Sequence, residues 1–402
     1  MASVGDFRDL WDQIDPVGRG SDGGYHRFSW TGEDRALREW FAAQAEKRGM
    51  SVECDRNGNQ YAWLGSPAEG PAVLTGSHFD SVPGGGAYDG PLGIVSGFLA
   101  VDELRAEGFE PARPVVVANF VEEEGGRFGV PCLGSRLATG AITPEKARSL
   151  TDRDGVSYAE AFADAGFDPG GMGADPELLK RFSCFVELHV EQGKYLVDTP
   201  HPVGVASAIW PHGRWRMDFT GEGNHAGTTR LADRRDPMLT FAFTVLAARK
   251  AASLEGALAT VGRVEANPNA TNAIADRVTG WLDVRAPSQD VLDKVLGRLT
   301  EQVEQRRLKD GTGAAIRSES LSAVVDFDEA LRDRVAALLG GVPVLPTGAG
   351  HDAGVLSSSL PTAMLFVRNP TGVSHAPAEG ASDDDCASGV RALANVLKEL
   401  SR

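Results

Sequence analysis

A histidine and two aspartates lie close together in a glycine-rich stretch. The stretch is TGSHFDSVPGGGAYDG (75–90); it contains His78, Asp80 and Asp89 and ends an apolar run. Imidazole nitrogens and carboxylate oxygens suit Zn²⁺, Mn²⁺, Co²⁺ or Ni²⁺, whereas Mg²⁺ prefers oxygen alone. Because glycine permits sharp turns, a backbone so rich in glycine can fold back on itself here.

Further donors occur where other predicted strands end. Glu122–Glu124 close the β-like run RPVVVANFVEEE (113–124), and His189 and His375 lie in FVELHVEQG and GVSHAPAE. A solvated acidic loop is the ordinary interpretation of three adjacent glutamates, and a single histidine after a strand usually has only a structural hydrogen bond. The position of the glutamates at the end of a strand favours a binding site at the edge of a sheet.

The elements that must position these residues alternate along the chain. Helical periodicity covers 32–49 and 90–108, and the apolar runs SVECD, QYAWLG, PAVLTGS and RPVVVANFVEEE predict strands. An order of strand, loop, helix and strand predicts a parallel or mixed sheet flanked by helices. We therefore predict an α/β fold in which a mixed sheet lies between helical layers.

The middle of the chain changes character near residue 208. Strand-like runs such as GRWRMDFTGEG alternate there with helices predicted near 235–253 and 288–307. After this region the apolar strand and helix pattern of the first part of the chain resumes. A length of 402 residues also exceeds what one hydrophobic core usually organises. We predict a discontinuous catalytic domain, 1–207 and 324–402, interrupted by a smaller α+β domain at 208–323.

Composition and charge exclude several classes of function. A hydrophobic content of 42% with 24% charged residues is typical of a soluble protein, and no apolar run is long enough for a membrane span. The net charge of −16, without a basic cluster, argues against nucleic acid. Cys54, Cys132, Cys184 and Cys386 form no CxxC pair, and the first residues resemble no secretory signal, so we expect reduced thiols and a cytoplasmic location. The expected partner is a small molecule.

A set of motifs occurs in one order from about residue 18 to the end: SHFDSVPGGGAYDGPLG, EEEGGRFG, ELHVEQG, NHAGTT, PNATN, DVR, GAGHDA and GVSHAPAE. In these motifs the chain resembles the amidase (hydantoinase/carbamoylase) branch of the zinc carboxypeptidase/aminoacylase superfamily. That branch contains N-carbamoyl-L-amino acid hydrolases, allantoate amidohydrolase and β-ureidopropionase. The resemblance implies a metallo-hydrolase catalytic domain with an inserted dimerisation (lid) domain.

The resemblance also implies a binuclear site with two divalent ions per subunit, Zn, Mn, Co or Ni. Asp89 would bridge the two ions. His78 and His189 would complete one ligand shell, and Glu124 and His375 the other.

Two acidic residues beside the ligands are implied to act in catalysis. Glu123 fits the general base, with Glu122 as the competing candidate. Because consecutive strand residues point to opposite sides, one carboxylate at a bend can grip a metal while its neighbour faces the attacking water. Asp80 is predicted to accept the second imidazole N–H of His78 and so fix its tautomer.

The substrate contacts are implied to come mainly from the inserted domain. His225 in GEGNHAGTT would stabilise the developing oxyanion, often from the partner subunit, although a turn histidine is the plainer interpretation. Arg285 in WLDVRAP would bind the substrate carboxylate as a bidentate fork, although strand-end arginines usually lie on the surface. The amides of Asn272 and Gln192 suit carboxylate and ureido groups respectively. Arg230 stands where the family usually has proline and could add an anion contact.

Together these features predict a metal-dependent hydrolase that cleaves the carbamoyl (ureido) C–N bond of a small carboxylate, releasing ammonia and carbon dioxide. The substrate is an N-carbamoyl-L-amino acid or allantoate. The alternatives are an aminoacylase or dipeptidase of the same superfamily, and a metal-free binding protein on the same fold. We expect a homodimer that shares its active sites across subunits, with no nucleic-acid or membrane partner. His351 and Asp352 in GAGHDA are expected to support the site rather than to bind metal.

Overall fold

The computed structural model describes residues 3–402 of the chain. Within these residues the α-helices are α1 Val4–Ile14, α2 Gly32–Lys47, α3 Pro91–Ala106, α4 Leu133–Thr139, α5 Pro144–Arg148, α6 Tyr158–Asp164, α7 Pro176–Leu179, α8 Pro237–Glu255, α9 Gln289–Asp310, α10 Glu329–Leu338, α11 Asp352–Leu356 and α12 Asp383–Leu400. The strands are β1 Ser51–Cys54, β2 Gln60–Leu64, β3 Ala72–His78, β4 Val115–Phe120, β5 Phe182–Val190, β6 Val203–Ile209, β7 His212–Thr220, β8 Asn224–His225, β9 Leu258–Asn267, β10 Ala273–Ile274, β11 Arg277–Arg285, β12 Gly313–Ser322, β13 Val325–Asp326, β14 Val344–Thr347 and β15 Thr362–Val367. Short 3₁₀ turns lie at Pro67–Glu69, Leu196–Asp198 and Leu231–Asp233.

The largest sheet has the strand order β1-β2-β4-β3-β5-β15-β6-β13, and β14 also pairs with β6. Strands β4, β3, β5 and β15 are parallel neighbours, whereas β1 with β2, β2 with β4 and β15 with β6 are antiparallel. Every residue of β3, β4 and β15 is buried, as expected for strands covered on both faces. The predicted mixed sheet with flanking helices is therefore confirmed.

One face of this sheet packs against a helical layer. Valines and leucines at alternate strand positions share a single buried core with α1, α2, α3 and α12, for example Val73, Val117, Val186 and Leu365. Helix α3 is buried along most of its length, which explains why its sequence is apolar without an exposed stripe. Because side chains alternate along a strand, Glu187 and His189 of β5 project to the other face.

The chain divides into two compact units, one formed by the chain up to Ser207 with Asp326–Arg402 and the other by Ala208–Val325. The second unit is an antiparallel sheet of order β12-β7-β11-β9. Its core joins alternate residues of β7 and β11, including Met217 and Leu282, to α8 and α9. A separate ribbon pairs β8 with β10. Among the described residues no helix is both long and apolar enough to span a membrane.

One predicted strand ends earlier than expected. The strand predicted over 113–124 stops at Phe120, and Glu122 has a left-handed φ of 54°. The carbonyls after Phe120 accept hydrogen bonds from the segment around α4, with Leu133 N–H to Glu122 O at 3.0 Å. Since these groups no longer pair within the sheet, the glutamates lie on a bend beyond the strand.

Candidate metal centre

The carboxyl ends of four adjacent parallel strands meet at one edge of the large sheet. His78 is the last residue of β3, and His189 is the next to last residue of β5. The loops that follow β4 and β15 carry Glu124 and His375. Because parallel strands end at the same edge, residues far apart in sequence are brought together there.

Asp89 reaches this edge through a glycine turn before α3. Gly90 has a φ of +89°, and a Cβ at this position would lie 2.4 Å from His78 Cε1. A side chain at residue 90 would therefore overlap the imidazole. Glycine allows the backbone to pass the ring so closely that Asp89 faces His78.

His78, Asp89 and His189 form a buried group of potential metal donors whose ligand atoms all lie within 4.8 Å of one another. Asp89 Oδ1 lies 3.1 Å from His189 Nε2 and 3.7 Å from His78 Nε2. Both Nδ1 atoms donate to main-chain carbonyls, at 3.0 Å for His78 and 2.9 Å for His189. Both Nε2 atoms are buried without a hydrogen-bond partner. The Nε2 atoms are therefore the ones left to bind an ion.

The electrostatics of this first group favour a cation. Burial lowers the pKa of His78 to about 4, so its Nε2 presents a lone pair to the carboxylate of Asp89. Burial also disfavours charge on His189, but Asp89 raises the pKa of His189 to about 9. Positive charge beside Asp89 is thus stabilised, and a metal ion would also satisfy the unpaired nitrogens.

Asp89, Glu124 and His375 form a second donor group around the other oxygen of Asp89. His375 Nε2 lies 3.4 Å from Asp89 Oδ2 and 3.4 Å from Glu124 Oε2. Burial raises the pKa of Glu124 well above its usual range, and the neighbouring Asp89 carboxylate adds to this effect. A divalent cation would offset the repulsion between such carboxylates in a buried site. The two groups share Asp89, one through each oxygen.

Glu123 lies beside the first donor group. Its Oε2 is 3.6 Å from His78 Nε2, and its Oε1 accepts the thiol of Cys132 at 3.1 Å. Burial raises the pKa of the Glu123 carboxyl well above its usual range, and the charges of Asp352 and Glu124 raise it further.

Glu122, the competing candidate for the general base, has its carboxylate hydrogen-bonded to the surrounding loops. Its carboxylate accepts the Ser29 hydroxyl and the main-chain N–H groups of Arg127 at 3.1 Å and Phe128 at 2.7 Å. It belongs to neither donor group. The geometry therefore favours Glu123 over Glu122 as the base.

Asp80 differs in detail from the prediction. The main-chain carbonyl of Asp80, not its carboxylate, accepts the Nδ1–H of His78, and the nearest carboxylate oxygen is 3.6 Å away. The carboxylate instead accepts the main-chain N–H groups of Glu123 and Glu124, each at 3.0 Å. The predicted carboxylate contact is wrong because these N–H groups, left unpaired after β4 ends, compete for the same oxygens.

Glu379 received no role from the sequence, although it lies in the GVSHAPAE motif with His375. Its Oε2 accepts the main-chain N–H groups of Tyr88 at 2.7 Å and Asp89 at 3.0 Å. Burial and the Asp89 charge raise the pKa of Glu379 to about 7. Gln192 also contacts Asp89: its Nε2 donates to Asp89 Oδ2 at 2.8 Å, and its buried Oε1 has no hydrogen-bond partner.

His351 and Asp352 lie buried near this centre. The His351 ring packs edge-on against His189 with ring centroids 4.5 Å apart, and Asp352 accepts the Ser135 hydroxyl at 2.5 Å. Glu187, His189 and His351 form a third group of possible donors. Both oxygens of Glu187 already accept hydrogen bonds, so this group is less suited to an ion than the other two.

The inserted unit places His225 and Asn272 side by side. His225 pairs with Ala273 across the β8–β10 ribbon. The carbonyl oxygen of Asn272 accepts the main-chain N–H of Ala226, the residue after His225, at 3.0 Å. His225 Nδ1 accepts the N–H groups of Gly227 at 3.0 Å and Thr228 at 3.2 Å. An Nδ1 that accepts leaves the proton on Nε2, so the exposed edge of the ring is a hydrogen-bond donor.

Two arginines of the same unit contact neighbouring acids. Arg285 ends β11, and its Nε donates to Asp283 at 2.9 Å. Arg230 is exposed, and its Nε pairs with Asp233 at 2.7 Å.

Comparison with known proteins matches residues 74–399 to the model of peptidase family M20/M25/M40. The N-carbamoyl-L-amino acid amidohydrolase of Geobacillus stearothermophilus is 33% identical and the allantoate amidohydrolase of Bacillus subtilis 32%; the matches cover 98% of this chain and 98% and 97% of those proteins. A hydantoinase/carbamoylase family amidase from Burkholderia multivorans superposes with a TM-score of 0.89 at 29% identity, covering 99% of this chain and 97% of that one. AtUAH, solved with (S)-hydroxyglycine, superposes at 0.84 and 27% identity, covering 100% and 98%.

Proposed function

The chain belongs to peptidase family M20/M25/M40, and we propose that it hydrolyses the carbamoyl (ureido) C–N bond of an N-carbamoyl-L-amino acid or of allantoate, releasing ammonia and carbon dioxide. It is a hydrolase that acts on C–N bonds, as its relatives named amidohydrolases are. The observation that carries the proposal is the pair of donor groups that share Asp89.

The donor groups would hold two divalent ions per chain, which we take to be Zn, Mn, Co or Ni because nitrogen and carboxylate oxygen are mixed. His78 and His189 would complete one site, Glu124 and His375 the other, and Asp89 would belong to both. When bound, such ions supply an activated water and a polarised carbonyl group.

Glu123 is the proposed general base. Since Cys132 holds its Oε1, the other oxygen is directed toward His78 and the donor groups. Glu123 takes the proton of the attacking water and delivers it to the leaving nitrogen. Asp80 fixes this segment by binding the main chain of Glu123 and Glu124, so its proposed part in catalysis is to position the base and a ligand.

Four residues are proposed to recognise the substrate. The Nε2–H of His225 donates to the oxygen that becomes negative during attack, and Arg285 and Asn272 bind the substrate carboxylate. The buried, unpaired Oε1 of Gln192 is suited to accept an N–H of the ureido group.

We also propose that the chain is a cytoplasmic homodimer in which His225 serves the partner's site. Helix α8 exposes Leu239, Leu246 and Leu254 along one side, and the edge strand β9 exposes Leu258 and Val264. Exposed apolar side chains together with an unpaired strand edge favour a two-fold interface. The four cysteines are free, which suits a reducing compartment.

The test measures ammonia release from allantoate, N-carbamoyl-L-amino acids and N-carbamoyl-β-alanine by metal-stripped and reconstituted protein. We expect activity on at least one ureido substrate that disappears with chelator and returns with metal. N-acetyl amino acids and dipeptides are assayed in parallel. Activity confined to those compounds would establish the aminoacylase or dipeptidase alternative, and no hydrolysis by metal-loaded protein would refute the proposal.

A further inference from the structure

The Glu379 carboxylate lies between the two loops that carry Asp89 and His375. Its Oε2 accepts the N–H groups of Tyr88 and Asp89, at 2.7 and 3.0 Å, although residues 89 and 379 lie far apart in the chain. Its Oε1 lies 3.3 Å from the hydroxyl of Ser374, which is also 3.1 Å from Asp89 Oδ2. One buried side chain therefore links the loop of Asp89 to the loop of His375.

The surroundings of Glu379 are shaped for this contact rather than for binding an ion. A Cβ on Gly86 would lie 2.2 Å from Glu379 Oε2, so only glycine at residue 86 leaves room for the carboxylate. Glu379 belongs to neither donor group; its Oε2 accepts two main-chain N–H groups, and its Oε1 lies within hydrogen-bond distance of the Ser374 hydroxyl. Such charge-assisted bonds to main-chain N–H groups fix the orientation of the backbone.

The two donor groups depend differently on this link. His78 and His189 stand on buried central strands, which hold them independently of the loops. His375 lies in the loop between β15 and α12 with a left-handed φ of 58°, and its side chain is 48% exposed. The position of His375 relative to Asp89 thus rests largely on contacts within the loops.

We propose that Glu379 is a positioning residue for the second ion, the one held by Asp89, Glu124 and His375. It sets the distance between the loops that supply Asp89 and His375. Loss of its carboxylate should therefore weaken the second ion selectively and leave the His78–Asp89–His189 group able to bind. This inference rests on the proposed metal-dependent function.

The test is calorimetric titration of the metal-stripped full chain with Zn²⁺, and elemental analysis of the loaded protein. We expect two ions in the wild type. In Glu379→Ala one dissociation constant should rise about 10- to 100-fold, the range seen when residues that orient metal ligands are removed. The other should stay within about threefold. Glu110→Ala, an exposed glutamate of the same unit, is the control and should match the wild type.

A double-mutant comparison identifies the affected ion. His375→Ala should abolish the same binding event, and adding Glu379→Ala to it should cause little further loss, because both changes act on one site. In a His78→Ala background, Glu379→Ala should still weaken the remaining event. Unfolding curves of the metal-free variants report the fold, and Glu379→Asp, which keeps the charge but is one methylene too short to link the two loops, replaces the alanine variant if that variant unfolds.

Equal weakening of both ions, or two ions bound as in the wild type, would overturn the inference. The proposed function fails separately, if the wild type binds two ions but hydrolyses no ureido compound. A wild type that binds no ion refutes both.

Discussion

Substitution of Gly90 by alanine tests whether the close approach of the turn to His78 holds the metal centre together. The added Cβ would lie 2.4 Å from His78 Cε1 and 2.6 Å from the His78 carbonyl oxygen. A sparsely populated backbone conformation costs a non-glycine residue about 1–3 kcal/mol. Overpacking against a buried ring costs about 1–3 kcal/mol more. We expect the free energy of unfolding to fall by about 2–6 kcal/mol.

Gly84→Ala is the control because Gly84 lies in the same loop between β3 and α3 and also has a positive φ, of +70°. The nearest atom to its added Cβ is Asp22 Oδ2 at 3.6 Å, an ordinary contact. In the control variant, only the positive φ of residue 84 lowers the free energy of unfolding, because the added Cβ meets no overlap. The difference in unfolding free energy between the two variants isolates the overlap with His78, about 1–3 kcal/mol.

The same overlap should appear in metal affinity. In the metal-free Gly90→Ala protein, the His78 ring can move away to relieve the overlap. Ion binding then requires the ring to return, and the cost of the overlap is subtracted from the binding free energy. The dissociation constant for the ion at His78 should then rise about 5- to 150-fold, whereas Gly84→Ala should stay within about twofold of the wild type. Urea unfolding of the stripped proteins and calorimetric titration with Zn²⁺ measure both quantities. Equal losses in the two variants would refute the reasoning.

Substitutions at three further positions test the assigned roles. Glu123→Gln should keep both ions by elemental analysis and lower kcat by about 10²- to 10⁴-fold, because an amide cannot take the proton. His225→Ala should lower kcat by about 10²- to 10³-fold without changing the unfolding curve, because His225 is exposed. Cys132→Ala should lower kcat about 5- to 10-fold with KM unchanged, and Cys132→Ser should restore it. A wild-type kcat in any alanine or glutamine variant contradicts the role given to that residue.

The sequence predicted the large sheet well because its central strands are continuous apolar runs. Residues such as those of β4, VVVANF, are buried on both faces, so the pattern has one physical explanation. His78 and His189 were predicted as donors for a related reason, since both stand at the ends of such strands. The structure brings them together with Asp89, Glu124 and His375 in two groups.

The details that the sequence could not supply depend on contacts between distant segments. The strand ends at Phe120 because main-chain N–H groups near Leu133 donate to the carbonyl groups that follow it. No local sequence pattern predicts this contact. The same break leaves N–H groups for the Asp80 carboxylate, which explains its unexpected partners. Glu379 was missed because its partners lie on a loop near the other end of the chain.

The strand order has a consequence for how the protein is made. Strand β15 lies between β5 and β6 in the sheet, yet it is synthesised after both of them. Until Thr362–Val367 has been synthesised, β5 remains an apolar strand with one unpaired edge. Such an edge invites pairing with other chains, so the nascent polypeptide is open to such pairing until β15 has been synthesised.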